Sequence, residues 1–550
     1  MSPLEPSIKT WSWFFLVLYT ILMFILGLIG MKKVKNSDDF ATARSSYGPY
    51  FLSFALIAAT ASGGTFIGIP ALSYSAGVSV LWYAFSYPFG VFLGFFIAIK
   101  AIRSSGSEFG TRSIPEYLGY RFDSEILRLT VSLFSLLLLF YLAAQLLSAA
   151  LMFNKILGIE IVPAITISSF LLVLYITAGG AHGDILTDAF QGFLMVILAV
   201  VVACLFFTGE SVEGGFYAMF QRLEVLDKNL TKTLHPTNVY VSSWWKIMTI
   251  IIAHMPIGLL PHIGNKFWAL KNDKDQNKLF YFSFLLSLIL PCVAFGGILA
   301  RASFGNTLFE SGYTPNDAIP LLFASVFPPW VAGLIVAGIL SAVMSTADGL
   351  IVSTSQIFAN DIFRLSFVKR FMSDCDPQII DRTALRISRI STVIIIFFAG
   401  LIAWKGQGNN IAILMWNGVG GLTAANAGPL FLGILWSRAT KHGALSGFIC
   451  GGSCFIILKL KLLQPMWFEN TVFESLSLWL FEQGDNPFSC SSIGAFISII
   501  ILYFVSLISL PPTKEHLKKV IPKKDLSEIC NTKVDSDKIN IIQFNLKSRL

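Results

Sequence analysis

The stretch Ala58-Ala59-Thr60-Ala61-Ser62-Gly63-Gly64-Thr65-Phe66-Ile67-Gly68-Ile69-Pro70 lies in the middle of an apolar run over 50–75. Small, hydroxyl-bearing and helix-breaking residues stand there at the depth where a membrane span should be most apolar. Lipid offers the backbone no hydrogen bonds, so unwound chain at that depth is tolerated only where it is buried in protein or lines a cavity. A second run, His254-Met255-Pro256-Ile257-Gly258-Leu259-Leu260-Pro261-His262-Ile263-Gly264, is interrupted in the same way. Either alone would read as a glycine packing face or a proline kink. The spacing decides between the readings. Five apolar runs extend from the first interruption to just before the second, and five more begin with the second. An odd repeat unit gives the two halves opposite topology. Interrupted segments at corresponding places in two inverted halves mark the binding site of a secondary transporter.

The rest of the chain fits that frame. Hydrophobic residues make up 55% of 550, with a mean hydropathy of +0.69. A soluble core stops growing at about 250–300 residues, whereas a bilayer absorbs one span per ~20 apolar residues. Runs at 11–30, 50–75, 78–102, 124–157, 161–178, 185–208, 244–266, 279–300, 329–358, 392–404, 411–436, 443–460 and 492–510 predict about thirteen spans. The expected fold is therefore an all-α polytopic membrane protein with a LeuT-like five-plus-five inverted repeat. It is read as one transmembrane domain over 1–510, with a flanking helix at 11–30, the repeat core at 50–436 and C-terminal helices at 443–510. A basic tail occupies 511–550. Only Lys9 precedes the first run, Lys32, Lys33 and Lys35 follow it, and no small-residue cleavage site is evident. It reads as a retained helix rather than a signal peptide.

Lys and Arg alternate from loop to loop, rich at 32–44, 103–121, 266–278, 364–389, 438–441 and in the tail, and poor at 75–77. The positive-inside rule then places the N-terminus outside and the C-terminus in the cytoplasm of a plasma membrane protein. The net charge of +8 and pI near 9.0 mostly restate this bias. The charges lie in loops and the aromatics in spans, which suits contact with anionic membrane lipid and not nucleic acid. Seven cysteines (204, 292, 375, 450, 454, 490 and 530) give no disulfide framework.

Ionisable groups within spans are functional candidates, because inserting one costs ~2.5–3.5 kcal/mol. Asp188 reads either as an N-terminal helix cap or as a relay on an ion path, and Asp348 as a residue that orients nearby hydroxyls or pairs with a basic loop. His254 reads as a packed, hydrogen-bonded histidine. Gln145, Asn417 and Asn426 are uncharged hydrogen-bonders expected to face the cavity, and Tyr83 and Tyr141 could gate or stack. Catalysis finds no support. No HExxH and no GxxxxGK[ST] is present, so neither an enzyme, an organic cofactor nor an ATP-driven pump is expected.

Four stretches resemble the sodium:solute symporter family, which includes the bacterial proline and pantothenate permeases. They are 62–77 (SGGTFIGIPALSYSAG), Gly179-Gly180 with Thr187-Asp188 and Gln191, 342–348 (AVMSTAD), and 436–444 (WSRATKHGA), in agreeing order over roughly 10–510. The resemblance implies Na+ as coupling ion, held by the Ser345 and Thr346 hydroxyls and the carbonyls of Ala58, Ala61 and Ala342. It implies solute at the midplane, with Thr60, Ser62, Gly63, Gly64, Gln145, His254, Gly258 and Asn417 as candidate contacts. Thr60 stands where the proline permeases carry an acid, and Ala253, Ile257 and Leu260 replace their aromatic and Gln positions, so proline is not the expected substrate. The stretches at 66–68 and 260–262 are nearer the pantothenate permeases. The implied function is sodium-coupled import of a small organic solute by alternating access. A proton-coupled symporter using Asp188 or His254 is the alternative. A sensor module is a more distant one, since the tail leaves no room for a catalytic domain, and a channel is disfavoured by the lack of a repeated filter-like ring.

Overall fold

A computed structural model describes residues 6–520 except 311, 373, 408 and 409. Among the described residues every regular element is helical, and the single β-bridge joins Tyr47 to Leu270. The expectations for the tail beyond 520, including Cys530, lie outside the described residues.

The helices start where local chemistry can satisfy their first N–H groups. Ser113, Ser124, Ser243, Asn410, Thr440 and Asn486 each accept a backbone N–H in the first turn. Prolines occupy the opening positions of Pro49–Thr60, Pro329–Gln356, Pro377–Lys405 and Pro487–Ile508, where their missing N–H costs nothing.

Among the described residues ten helices are long and apolar enough to cross a membrane, or eleven if the bent pair Trp244–Leu259 and Pro261–Ala269 counts as one span. The expected thirteen are not matched by length and composition, and the reason is local. Pro49–Thr60 and Ile161–Leu174 are apolar but short. The first is cut off by the break at 61–63, and the second ends before a kink. That kink is at Gly180, whose φ of +51° and ψ of −145° divide the helical run Ile161–Thr208 into two segments. Only glycine adopts this conformation cheaply, and a Cβ would also stand 2.6 Å from the Phe40 ring.

Pro6–Lys33 buries Leu16, Tyr19, Met23, Gly27 and Gly30 and exposes Phe14, Val17, Leu18 and Ile21 to the hydrocarbon side. At Gly30 the backbone approach is so close that a Cβ would lie 2.5 Å from Gly183 N. Small residues permit such crossings between membrane helices. Trp82, Trp244 and Trp330 stand half-exposed in the first turns of their helices and Trp404 in a last turn, as interfacial anchors do. Pro329–Gln356 is the inverse case, buried along nearly its whole length against Pro6–Lys33, Pro49–Thr60 and Ile161–Thr208. It therefore presents its polar residues to protein alone.

Candidate functional site

The first broken helix runs Pro49–Thr60, turns extended at Ala61 and resumes at Gly64. Its loose donors are all taken by protein. Ser62 N donates to Thr65 Oγ1 (3.2 Å), Gly63 N to Gln145 Oε1 (2.9 Å) and Gly64 N to Ser62 Oγ (3.1 Å). Its carbonyls meet the buried helix. Ser345 Oγ donates to Ala58 O at 3.1 Å and to its own-helix Ala342 O at 3.2 Å, and Thr346 Oγ1 donates to Ala61 O at 3.1 Å. Ala58, Ala61, Ala342, Ser345 and Thr346 thus come together, all at 0% exposure. Back-bonding to the helix's own backbone is the ordinary role of a membrane hydroxyl. Here both hydroxyls also reach across to the broken helix. With their protons rotated away from these carbonyls, the two hydroxyls and the carbonyls of Ala58, Ala61 and Ala342 would present uncharged oxygen lone pairs, a donor type suited to a hard monovalent cation that must leave again.

Next to this point lies a cavity of about 20 Å³. Thr60, Ser62, Gly64 and Thr65 supply one wall, Tyr83, Tyr87 and Tyr141 another, and His254, Ile257, Ile263 and Met415 most of the rest. Tyr141 also lies beside both Ser62 and Thr346, so one side chain touches both this cavity and the Thr346 hydroxyl. His254 Nδ1 donates to Ile250 O at 2.7 Å, and its ring is stacked among Trp416, Phe488, Tyr83 and Tyr87, which is a packed role.

Of the expected solute contacts, Thr60, Ser62, Gly64 and His254 line this cavity. Gly63 and Gln145 stand behind it, joined to each other. Two expectations are corrected. Gly258 faces the helix Leu81–Phe109, where a Cβ would meet the Phe95 ring at 2.5 Å, so it serves packing. Asn417 is exposed, because helix Ile411–Ala427 turns Met415 and Trp416 inward and one residue further points out. Asn426 is buried and bonds back to Leu422 O. The cavity tyrosine that sequence reasoning missed is Tyr87. Aromatics are too common in this chain for any one to stand out.

The largest omission is charged. Lys266, at the end of the second broken helix, forms ion pairs with Asp184 and, at 2.7 Å, with Asp188. Asp188 is therefore no helix cap. It lies about two turns beyond the Gly180 kink, within the helical segment that follows it. Thr187 Oγ1 donates to Asp348 Oδ2 at 3.2 Å, which links this helix to the segment carrying Thr346. Gln191 meets the Tyr19 hydroxyl at 2.5 Å, and with its amide oxygen on that side its nitrogen faces Asp188 Oδ1 at 3.3 Å. Asp184 and Asp188, one helical turn apart in an apolar run, were the available sequence signal.

In the segment after the first helix, Asp38 pairs with Arg44 (2.9 Å) and Arg112 (3.1 Å), while the Ser37 backbone donates to Asp381 at 3.1 Å. Burial pushes the Asp38 carboxyl up, but its Arg44 hydrogen bonds and the charges of Arg44, Arg112 and Arg364 outweigh this and hold it below the usual range.

The chain resembles proteins that move solutes. It is 24% identical over 455 residues to the osmoregulated proline transporter OpuE of Bacillus subtilis (strain 168), covering 80% of this chain and 87% of that one. It is 25% identical over 456 residues to the sodium/pantothenate symporter of Haemophilus influenzae, covering 80% and 89%. With the sodium/proline symporter of Staphylococcus aureus (strain JH9) it shares 22% over 511 residues, covering 91% and 93%. Among solved structures, a Na+-coupled sialic acid symporter in a substrate-bound outward-open state superposes with a TM-score of 0.72 at 22% identity, over 92% of this chain and 99% of that one. Mhp1, a nucleobase-cation-symport-1 family transporter in a closed conformation, gives 0.51 at 16% identity, over 88% and 97%. These likenesses confirm the LeuT-like fold. The sodium:solute symporter family matches residues 40–451, three quarters of the sequence, and the chain belongs to that family.

Proposed function

We propose that the chain imports a small organic solute across the plasma membrane by sodium symport, with the ion held by Ala58, Ala61, Ala342, Ser345 and Thr346. Solute occupies the neighbouring cavity between the two broken helices, against Thr60, Ser62, Gly64 and His254. The observation that carries this reading is the reach of the Ser345 and Thr346 hydroxyls to the Ala58 and Ala61 carbonyls. Tyr141 and the first broken helix are shared by both places, so filling one alters the walls of the other. Alternating access follows if the pair is released together on the far side. Asp188, Asp348 and Lys266 border the route to the cytoplasm. The Lys/Arg distribution supports an external N-terminus and a cytoplasmic C-terminus. An inside-negative potential of ~100 mV contributes about 2.3 kcal/mol per entering Na+, enough for roughly forty-fold accumulation.

The test is uptake into proteoliposomes with sodium replaced by choline at fixed pH. Ser345→Ala and Thr346→Ala should each raise the sodium concentration for half-maximal uptake by about ten- to a hundredfold, the effect of losing one charge-assisted contact. Unaltered sodium dependence in both variants removes this site. Uptake driven equally well in choline by a pH gradient favours the proton-coupled alternative.

A further inference from the structure

The lining of the solute cavity is uncharged throughout. Among the described residues that form it there is no Asp, Glu, Lys or Arg, and the Asp184–Lys266 pair borders a separate cavity with His262 and Ser353. The half-helix N-terminus, the usual seat of a solute carboxylate in such folds, is already occupied. The N–H groups of Ser62, Gly63 and Gly64 are taken by Thr65 Oγ1, Gln145 Oε1 and Ser62 Oγ, and those of Thr65 and Phe66 by Ser62 O. A carboxylate entering here would have to displace Gln145 or Ser62 and would still lack a cation. A solute ammonium would lack an anion. Burying either charge unpaired is strongly unfavourable.

What the cavity does offer is hydroxyl groups on one side and apolar surface on the other. Thr60, Ser62, Thr65 and the tyrosines at 83, 87 and 141 form the first, and Ile69, Val91, Ile257, Ile263 and Met415 the second. The Tyr87 hydroxyl, beside Thr65, is buried without a well-formed hydrogen bond. A buried hydroxyl left without a bond points to a partner that arrives with the solute.

We propose that the solute of this site is uncharged, with several hydroxyl or amide groups along one side, an apolar face on the other, and no carboxylate, phosphate or ammonium. The inference rests on the placement of solute in this cavity given above. It separates this chain from its relatives named for proline and pantothenate and from the sialic acid symporter, whose solutes all carry a carboxylate.

The experiment uses the full-length protein in proteoliposomes, with binding and uptake measured in sodium and in choline. The probes are matched sets: glucose, glucuronate and glucosamine; pantothenol and pantothenate; nicotinamide and nicotinate; and inositol alone. The expected result is sodium-dependent binding of at least one uncharged member, tighter than its charged counterpart by about a hundredfold or more. Tyr87→Phe should weaken that binding by about tenfold, with the sodium response of the unliganded protein kept. A charged member bound as tightly as its uncharged partner overturns the inference but leaves sodium symport standing. Failure of every uncharged member to bind while sodium still stabilises the protein also overturns it. No effect of sodium on the protein or on any solute overturns the transport reading as well.

Discussion

Replacing Lys266 by Met should destabilise the protein by about 3–5 kcal/mol, the usual cost of breaking a buried ion pair from one side. The Lys266, Asp184 and Asp188 side chains are 2%, 6% and 0% exposed, and the ammonium lies 2.7 Å from Asp188. At that distance and an effective dielectric of ~20, the attraction to one carboxylate is about 6 kcal/mol. Desolvation of the three groups offsets much of this, so the intact cluster adds little net stability. Met keeps the volume of the lysine stem but leaves two carboxylates of like charge, one turn apart, with no cation between them. Against a total stability of about 5–15 kcal/mol, that loss is large. The measurement is equilibrium unfolding in detergent by denaturant, followed by tryptophan fluorescence. The decisive arm adds Asp184→Asn and Asp188→Asn to Lys266→Met, which should recover most of the loss, since a buried ionic group can be replaced as a whole at small cost. The reasoning is refuted if Lys266→Met unfolds within about 0.5 kcal/mol of wild type, or if the triple variant is no more stable than the single one.

A Cβ at Gly64 would find Ser62 Oγ at 3.2 Å and Met415 Sδ at 3.6 Å, whereas at Gly68 it would meet Ala412 N at 2.6 Å. Gly64→Val should therefore leave a folded protein that has lost solute binding, and Gly68→Ala should lower the melting temperature. A folded Gly64→Val protein with normal solute affinity would exclude the cavity. Asp38 has a folded-state pKa below its unfolded value, so its stabilising contribution is complete above about pH 4 and is lost as pH falls through the lower, folded value. Melting curves from pH 7 down to pH 3 should show Asp38→Asn less stable than wild type at neutral pH, with the gap closing below about pH 4. A gap independent of pH would refute that linkage. A reporter active only outside the cytoplasm should work in the exposed turn at Glu213 and fail after Lys274; equal activity at both sites would refute the orientation.

The broken helices were legible because bilayer depth admits Gly-Gly and Pro-x-Gly-x-x-Pro only where protein or a cavity meets the backbone. The family resemblance pointed to Ser345 and Thr346, and the structure brings these hydroxyls to the carbonyls of Ala58, Ala342 and Ala61. The span number was less legible. Hydropathy records a run of apolar residues but not that the helical path kinks at Gly180 or halts at Ala61. Which polar residues face the cavity was hidden for a different reason. On a helix buried on most sides, Trp416 and Asn417 are adjacent in sequence but about a quarter-turn apart around the helix, and only the neighbouring helices decide which of them turns inward. Lys266 shows the limit most clearly. By sequence it belongs with the basic loop residues, but the second broken helix carries it into the interior, within 2.7 Å of Asp188. Sequence alone determined the membrane class, the paired interruptions and the kinship, because these rest on composition and local backbone chemistry. Tertiary structure decided the charge pairs, the tyrosine-lined wall and the neutral character of the cavity. Those depend on contacts between residues dozens to hundreds of positions apart, which periodicity cannot encode.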